Sequence, residues 1–462
     1  MKKKLVAALT AVIMIATLFA GCSKQQNDAP KEGTPATGTA TQAPASNEGT
    51  DKPAEAIVTE PTELTYIFAD GDEGAKAAMR EIVDKFNEAN PDITVNIVPG
   101  NGGAYNELLI TKDSVGEFPD VMEMRDTAVY VRAGKITPLP EDIVSLFKTT
   151  TAFSDAVYTA PLAGENTNGI IYNKAYFDEN GFTEPVTYDE FLQLCQKIKD
   201  KGEMSPLVVG GSDIWHMGFW FHKVYNDQVL SQDPDFIKHC YEGTKDFSDP
   251  AFKATFEELK KIMQYAQDGW VSTPDAQITT FLVNNMSAMM YSGTHMFSQI
   301  TAADPNFQIG WFAIPSPDGK TRLVGGGGVG GLAISAQAAQ DPNKKAAAEA
   351  FIKFFFAPEN YKIYCEKLSA IPATVDEPQL NVSEVFQEVI DANNTADELA
   401  PMWNGRTGEN ELPPDFRNFT YKTLVEVLSD VRDIDSASEE LNKTWKVSME
   451  NFNPVTGTGI SK

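Results

Sequence analysis

An alternation of short apolar strands with amphipathic helices constrains the fold of this chain more than any other feature. Residues 63–69 and 93–98 are rich in β-branched and aromatic side chains, which is typical of strands. Between them, apolar residues recur at helical spacing until Pro91 ends the pattern. A helix around residues 105–111 and a strand at 118–124 continue the alternation. This order predicts a parallel sheet covered by helices, an α/β fold.

The second half of the chain follows the same style with more helix. Thr187 and Glu190 have the spacing of a capping box, which predicts a helix beginning beside them. Four more helices are expected from apolar periodicity, at residues 252–267, 346–355, 421–431 and 437–451.

The N-terminus has the pattern of a secretory signal peptide over residues 1–21. Three lysines precede an apolar run from Leu5 to Ala20, which is too short for a bilayer span of about 20 residues. Gly21 and Cys22 follow, and small residues before a cysteine resemble a bacterial lipobox, with Cys22 as the lipidated residue. The alternative is an ordinary signal peptide with a chance cysteine.

Residues 22–61 are expected to form a flexible linker behind the lipidated cysteine. They are mostly Thr, Ala, Pro, Gly, Ser, Asn and Gln, a composition that buries too little apolar surface to offset the entropy of ordering. A lipid anchor with a soft tether would hold a globular body at the extracellular face of the cell membrane, as in Gram-positive surface lipoproteins.

Length and charge bound the remaining possibilities. About 400 residues follow the linker, more than one hydrophobic core holds, so two domains are expected. The formal net charge of −27 repels phosphate backbones, which makes nucleic acid a poor partner.

Cysteines and histidines give no sign of a metal site or a cofactor. Cys195, Cys240 and Cys365 show no CxxC or Cys/His spacing, and the four histidines include no zinc-protease pair. Buried free thiols are favoured for the three cysteines over a single disulfide.

A series of motifs resembles the extracellular solute-binding proteins of ABC importers, the group that includes maltose-binding protein. The strongest is Tyr172-Asn173-Lys174, followed by Phe177, Gly181 and the segment Pro185 to Glu190. The other motifs occur in the family's order along the chain: residues 118–121, 134–139, 281–293, 309–315, 325–335, 354–359 and 371–372.

This resemblance implies a two-lobed fold of the periplasmic-binding-protein type II kind, with a hinge and a central ligand cleft. Lobe one would hold residues 62–168 plus 320–372, and lobe two residues 169–319 plus 373–462. The implied partners are a small solute, a carbohydrate above all, and the membrane subunits of an ABC permease. A monomer is expected, without cofactor, metal or catalytic residues.

Candidate ligand residues in lobe one follow the strands, where open α/β sheets bind ligands. Asp70, Asp72 and Glu73 follow the first strand, although turn chemistry alone favours such residues. Asp126 stands where the family has an acidic hydroxyl binder; a solvated loop charge or a pair with Arg125 is the alternative. Asn166, with Glu165 as its rival, lies in a crossing segment where the family places a polar contact.

Lobe two offers aromatic side chains for stacking on a sugar. Trp215 and Trp220 are the candidates in the sequence IWHMGFWF, of which at least one is expected in the core. His295 stands where many sugar-binding relatives have a Trp, which weakens the sugar assignment or implies a hydrogen bond there. Trp403 and Arg406 are expected at the cleft rim, with surface packing as the alternative.

The glycine run at residues 325–328 is not a phosphate loop, because no GxxxxGK[ST] pattern is present. Gly327 is instead expected to let backbone approach the ligand, unless the run is simply a tight strand. Three other functions remain open. The chain could bind a peptide or polyamine, hydrolyse glycosides with two opposed carboxylates, or serve as a structural or sensory surface protein.

Overall fold

The computed structural model describes residues 58–100, 105–153, 155–164, 167–325, 330–450, 452 and 459–461. The predicted signal peptide, Cys22 and most of the linker lie outside the described residues. The described residues belong to one compact unit, Glu55–Lys462.

The strands are short, and most belong to one of two four-stranded sheets. In chain order they are β1 Thr62–Ile67, β2 Ile93–Val98, β3 Val121–Met124, β4 Thr149–Phe153, β5 Ala156–Val157, β6 Gly169–Asn173, β7 Ser205–Val208, β8 Ser287–Ser292, β9 Ile309–Phe312, β10 Arg322–Gly325, β11 Gly331–Ile334, β12 Glu398–Pro401 and β13 Gly459–Ser461.

The α-helices cover both sheets. In chain order they are α1 Glu73–Ala89, α2 Tyr105–Ser114, α3 Thr127–Arg132, α4 Glu141–Val144, α5 Lys174–Asn180, α6 Tyr188–Lys201, α7 Ile214–Tyr225, α8 Phe236–Glu242, α9 Pro250–Met263, α10 Asp275–Val283, α11 His295–Ala303, α12 Pro342–Phe355, α13 Pro358–Leu368, α14 Glu384–Thr395, α15 Pro414–Leu428 and α16 Ile434–Met449.

The first sheet has the order β11-β3-β1-β2 and forms the centre of lobe one. Strands β1, β2 and β3 are parallel, and β11 returns antiparallel beside β3. Helices α1, α12 and α13 pack on one face around Phe86, Phe351 and Phe355, and α2 and α3 cover the other. The parallel arrangement confirms the prediction from the strand–helix alternation.

The second sheet has the order β7-β8-β6-β9 and forms the centre of lobe two. Strands β7 and β8 are parallel, whereas β6 runs antiparallel to both of its neighbours. The larger core lies between this sheet and helices α6 to α9, α15 and α16, and a smaller one lies under α10, α11 and α14. The two-lobed α/β architecture expected from the motifs is therefore present.

The chain crosses between the lobes where β10 and β11 meet the segment before β6. Ala160 and Leu332 exchange backbone hydrogen bonds of 2.9 and 2.8 Å. A Cβ atom on Gly331 would lie 2.0 Å from the Ala160 carbonyl oxygen, so only glycine permits this approach. Strand β10 also pairs with β12, which the expected lobe boundaries place in the other lobe; those boundaries stay a prediction.

Local sequence signals account for several helix ends. The capping box at Thr187 and Glu190 is present, as predicted. Helix α15 begins seven residues earlier than expected, because Pro414 occupies its first turn. Strand β3 is shorter than expected, because Asp120 uses its carboxylate to accept hydrogen bonds from Thr65.

The three cysteines of the folded body are free and buried, which confirms the favoured prediction. Burial raises the thiol pKa of Cys195, Cys240 and Cys365, the last to about 12.

Candidate functional site

The two lobes meet through polar side chains at the carboxyl ends of the parallel strands, the place where open α/β sheets bind ligands. Asp72, after β1, accepts a hydrogen bond of 3.2 Å from Gln299 of α11. Asp126, after β3, forms an ion pair of 3.3 Å with Arg417 of α15. Arg132 of α3 pairs with Glu411 at 2.6 Å. These contacts define the interlobe boundary, which we call the cleft.

His295 lies at the centre of one group of cleft side chains. It opens α11 directly after β8 and is half-buried. Burial lowers the pKa of its imidazole from 6.5, and nearby His216 and Arg125 lower it further, whereas Asp275 and Asp72 oppose the shift. His295 is therefore a neutral hydrogen-bonding group at pH 7, with side chains of both lobes around it.

His216, in the first turn of α7, is fixed by a carboxylate. Its Nδ1 lies 2.8 Å from Asp275 Oδ1, and the backbone N–H of Asp275 donates to Asp213 Oδ2 at 2.7 Å. His216 is fully buried, and its Nε2 has no hydrogen-bond partner among the described residues. The carboxylate therefore fixes the orientation of the ring beneath the cleft surface.

Trp215 presents its ring beside this histidine. Its side chain is 46% exposed, unusual for so large an apolar group. It meets His216 and Phe219 edge-on, with ring centroids 5.9 and 5.7 Å away. These contacts hold the indole in place and leave much of it in contact with solvent.

Arg125 faces the same group from lobe one. Its Nε donates to Glu123 Oε1 at 2.7 Å, and its guanidinium lies over the Tyr105 ring, 5.6 Å from the centroid. Glu123 also accepts the backbone N–H of Ala69 at 3.0 Å. The alternative in which Arg125 pairs with Asp126 is wrong, because Glu123 is its partner.

The three acids expected after the first strand have different surroundings. Asp70 accepts the backbone N–H of Gly100 at 3.0 Å and so holds the next βα loop. Asp72 caps α1 through the N–H of Ala75 at 2.7 Å and reaches Gln299 with its other oxygen. Glu73 is exposed and pairs with Lys76 at 2.6 Å. Asp72 thus joins the two lobes.

A second group of cleft side chains surrounds a narrow cavity, here called the Arg406 cavity. Its volume is about 30 Å³. Its lining includes the predicted residues Asp126, Trp403 and Arg406, with Arg132, Glu411 and Arg417. Asp126 also accepts a hydrogen bond from Asn106 at 3.1 Å. Asp126 and Arg406 thus lie on opposite sides of one boundary, although 280 positions separate them in the sequence.

Trp220 and Trp403 do not present an aromatic face to the cleft, contrary to expectation. Trp220 is fully buried against Tyr291, on the apolar side of α7. Trp403 is 2% exposed, with Phe416 and Tyr421 stacked on its ring and Phe221 against its edge. Both rings are buried in the core of lobe two, and Trp403 lines the Arg406 cavity without exposing a ring face to it.

The predicted residues Glu165, Asn166 and Gly327 lie outside the described residues. Sequence reasoning missed Glu123, Asp275, His216 and Gln299. An acid at position 123, inside an otherwise apolar strand, was the available signal for the first. The others come together only through long-range folding.

Two of the wider grooves of the described residues lie on other parts of the molecule. One, of about 820 Å³, is lined by residues of α8, α9 and α16 with the aromatic pair Tyr241 and Trp445. The other, of about 800 Å³, runs between α11, α13 and α14. In the first groove, the side-chain amide of Asn442 accepts the backbone N–H of Phe247 and donates to the hydroxyl of Ser248. The polar groups of Asn442 are therefore already hydrogen-bonded within the fold.

Nowhere in the described part of the chain do three or more His, Cys, Asp or Glu side chains gather as a metal would require. Within the same ranges, no helix combines the length and the apolar character needed to cross a membrane.

Residues 81–391, well over half of the chain, match the model of a family described as bacterial extracellular solute-binding protein. A multiple sugar-binding protein of Streptococcus mutans is 26% identical over 60% of this chain and 67% of its own length. The melibiose/raffinose/stachyose-binding protein of Bacillus subtilis is 23% identical, over 66% and 73%.

Solved structures with the same fold include a chitin oligosaccharide binding protein, with a TM-score of 0.73 and 21% identity over 84% of this chain and 99% of that one. A second is the binding protein RafE in complex with raffinose, with a TM-score of 0.65 and 22% identity over 84% and 99%. At this identity the similarity concerns the fold.

Proposed function

The chain belongs to the bacterial extracellular solute-binding protein family, and we propose that it captures a carbohydrate between its lobes for an ABC importer. An oligosaccharide is the favoured solute, delivered to the membrane subunits of the importer. The sugar-binding names of the relatives from Streptococcus mutans and Bacillus subtilis support this assignment.

The exposed ring of Trp215 carries the proposal. A sugar offers apolar C–H faces and hydroxyl edges, so its site needs a planar ring next to hydrogen-bonding groups. Trp215 provides the ring, and His216 and Asp275 stand beside it. His295 and Asp72 extend the polar side of the site across the cleft.

We assign ligand contact to Trp215, His295, Asp72, Asp126 and Arg406. The neutral imidazole of His295 suits a hydrogen bond with a sugar hydroxyl group. Asp70 and Glu73 are given supporting roles, because the first holds a loop and the second pairs with Lys76 on the surface.

A thermal-shift screen of mono- and oligosaccharides against the full-length chain tests the function. A ligand that binds only the native state raises the melting temperature by mass action. We expect a shift with at least one oligosaccharide, and none with peptides or polyamines. A shift only with peptides or polyamines would contradict the proposal. Product release from the shifting sugar would favour a glycoside hydrolase over the non-enzymatic role proposed.

We further propose that the chain is a monomeric lipoprotein anchored through Cys22 at the extracellular face of the membrane. Cys22→Ser should move the protein from the detergent phase to the aqueous phase of a Triton X-114 partition and release it into the medium. A Cys195→Ser variant, which alters only a buried core thiol, is the matched control. Equal partition of all three proteins would refute the anchor.

A further inference from the structure

Arg406 is a charged side chain without an ionic partner in the described part of the chain. Its Nε–H is buried and donates to no acceptor among the described residues. Two acids outside the cavity, Glu398 and Asp235, act on its guanidinium electrostatically but are hydrogen-bonded to other side chains, Glu398 to Arg322 and Asp235 to Asn410. Burial lowers the pKa of Arg406 from 12.5, yet an arginine remains charged at neutral pH.

The other charges around the Arg406 cavity are already matched. Arg132 pairs with Glu411 and Arg417 with Asp126, at 2.6 and 3.3 Å. Among the described residues that line the cavity, three guanidinium groups therefore face two carboxylates, an excess of one positive charge. This excess lies inside a chain whose formal net charge is −27, so bulk charge does not explain it.

A partly desolvated arginine without a partner is costly, and a carboxylate is the partner that its planar fork fits best. We infer that the Arg406 cavity receives a carboxylate of the solute, so that the transported carbohydrate is an acidic sugar of the uronate type. The cavity volume of about 30 Å³ exceeds that needed for one water but excludes a sugar ring. A projecting carboxylate suits such a space, while the ring itself would lie in the cleft.

This inference rests on the proposed carbohydrate function and deepens it. It also bears on the polyamine alternative, because a cavity with excess positive charge repels a polycation. The same chemistry would accept a carboxylate that is not part of a sugar, and the experiment includes such a probe.

Isothermal titration of the full-length chain with matched acidic and neutral sugars tests the inference. The pairs are digalacturonate with α-1,4-galactobiose, cellobiouronate with cellobiose, and glucuronosyl-xylobiose with xylobiose; glutarate is the sugar-free carboxylate. We expect at least one acidic member to bind roughly 10–100-fold more tightly than its neutral partner. Arg406→Met should remove that difference between the acidic and the neutral sugar.

Arg432→Met is the matched control, since Arg432 pairs with Glu426 at 2.8 Å on lobe two, outside the cavity lining. It should leave both affinities unchanged. Equal affinity for acidic and neutral sugars would overturn the inference while the carbohydrate function stands. Arg406-dependent binding of glutarate without any sugar binding would overturn the carbohydrate function and, with it, the uronate assignment. An absence of binding by every acidic probe would also overturn the inference.

The melting temperature of the unliganded protein separates a ligand role from a structural one. If Arg406 awaits a ligand, Arg406→Met removes an uncompensated charge and raises the melting temperature by roughly 2–4 °C. A decrease of that size would instead mark Arg406 as a structural side chain and count against the inference.

Discussion

At the scale of single residues, orientation on an element decides which candidates reach a ligand. Trp215 and Trp220 are five positions apart on α7, which places them on different sides of a helix with 3.6 residues per turn. Met217, Trp220, Phe221 and Val224 follow the i, i+3, i+4, i+7 spacing of a core face, and all four are buried. The sequence therefore contained the information to place Trp220 in the core. Trp403 lay in a segment without periodicity and offered no such signal.

A buried neutral histidine should make stability depend on pH. His222 is 2% exposed, its Nε2 accepts the backbone N–H of Trp403 at 2.9 Å, and burial lowers its pKa to about 3. The unfolded chain takes up a proton below about pH 6.5, whereas the folded state does so only near the lowered pKa. The neutral His222 therefore contributes fully to the free energy of unfolding above about pH 6.5. Below that pH the free energy of unfolding falls by about 1.4 kcal/mol per pH unit.

Urea denaturation of the wild type and His222→Gln between pH 4 and 7 measures this effect. In the variant, the free energy of unfolding should lose the part of its pH dependence that His222 causes, because glutamine does not titrate. His239→Gln, in which a more accessible histidine is replaced, serves as the comparison. Parallel curves for the wild type and His222→Gln would show that His222 is not the source.

At the scale of elements, local sequence signals predicted which helices and strands form better than they predicted where each one begins and ends. The strand–helix alternation gave β1, α1, β2 and α2, and the Thr187 capping box marked the start of α6. Helix α9 ends at Met263 rather than Gln267, because the chain turns there to bring Tyr265 and Gln267 beside β7. Leu207 of β7 donates its backbone N–H to the carbonyl of Tyr265 and accepts the N–H of Gln267. Such tertiary contacts have no local signature.

Asp72, the N-cap of α1, should both stabilise the helix and contribute to ligand binding in the cleft. Asp72→Ala removes the bond to Ala75 and the contact with Gln299. We expect a loss of about 0.5–2 kcal/mol in unfolding free energy, together with weaker sugar binding. Asp433→Ala removes the equivalent cap of α16, away from the cleft, and should lower stability alone. Urea denaturation and calorimetry on both variants distinguish the two effects; unchanged affinity in Asp72→Ala would count against its assigned ligand role.

A buried charge network fixes β10 to the short π-helix Asn226–Leu230 that follows α7. Lys223 and Asp227 have side chains 3% and 4% exposed and lie 3.1 Å apart. Lys223 also donates to Ser316 and to the carbonyl of Arg322. Asp227→Ala leaves Lys223 uncompensated and should lower the unfolding free energy by about 3–5 kcal/mol.

The double variant Lys223→Met/Asp227→Leu should recover most of that loss in urea denaturation, because it removes both charges. Asp178→Ala, which breaks the exposed Lys174–Asp178 pair, should cost less than about 1 kcal/mol. Equal losses in the single and double variants would show that the network does not act through charge.

At the scale of the whole molecule, the family motifs predicted two lobes, and the structure shows how they meet. The Asp72–Gln299, Asp126–Arg417 and Arg132–Glu411 contacts each join residues more than 200 positions apart. No single-sequence pattern encodes such pairs, so the sequence indicated which loops form the cleft but not which side chains face each other across it. The unpaired charge of Arg406 was likewise visible only after folding.

The central claim, that a carbohydrate binds in the cleft against Trp215, is tested most directly by calorimetric titration of the wild type and Trp215→Ala. The titrant is the sugar that gives the largest thermal shift. The account predicts one site per chain and an affinity at least about tenfold lower in the variant, roughly 1.4 kcal/mol. Unchanged affinity in Trp215→Ala, or saturable binding of a peptide or polyamine in place of any sugar, would contradict it.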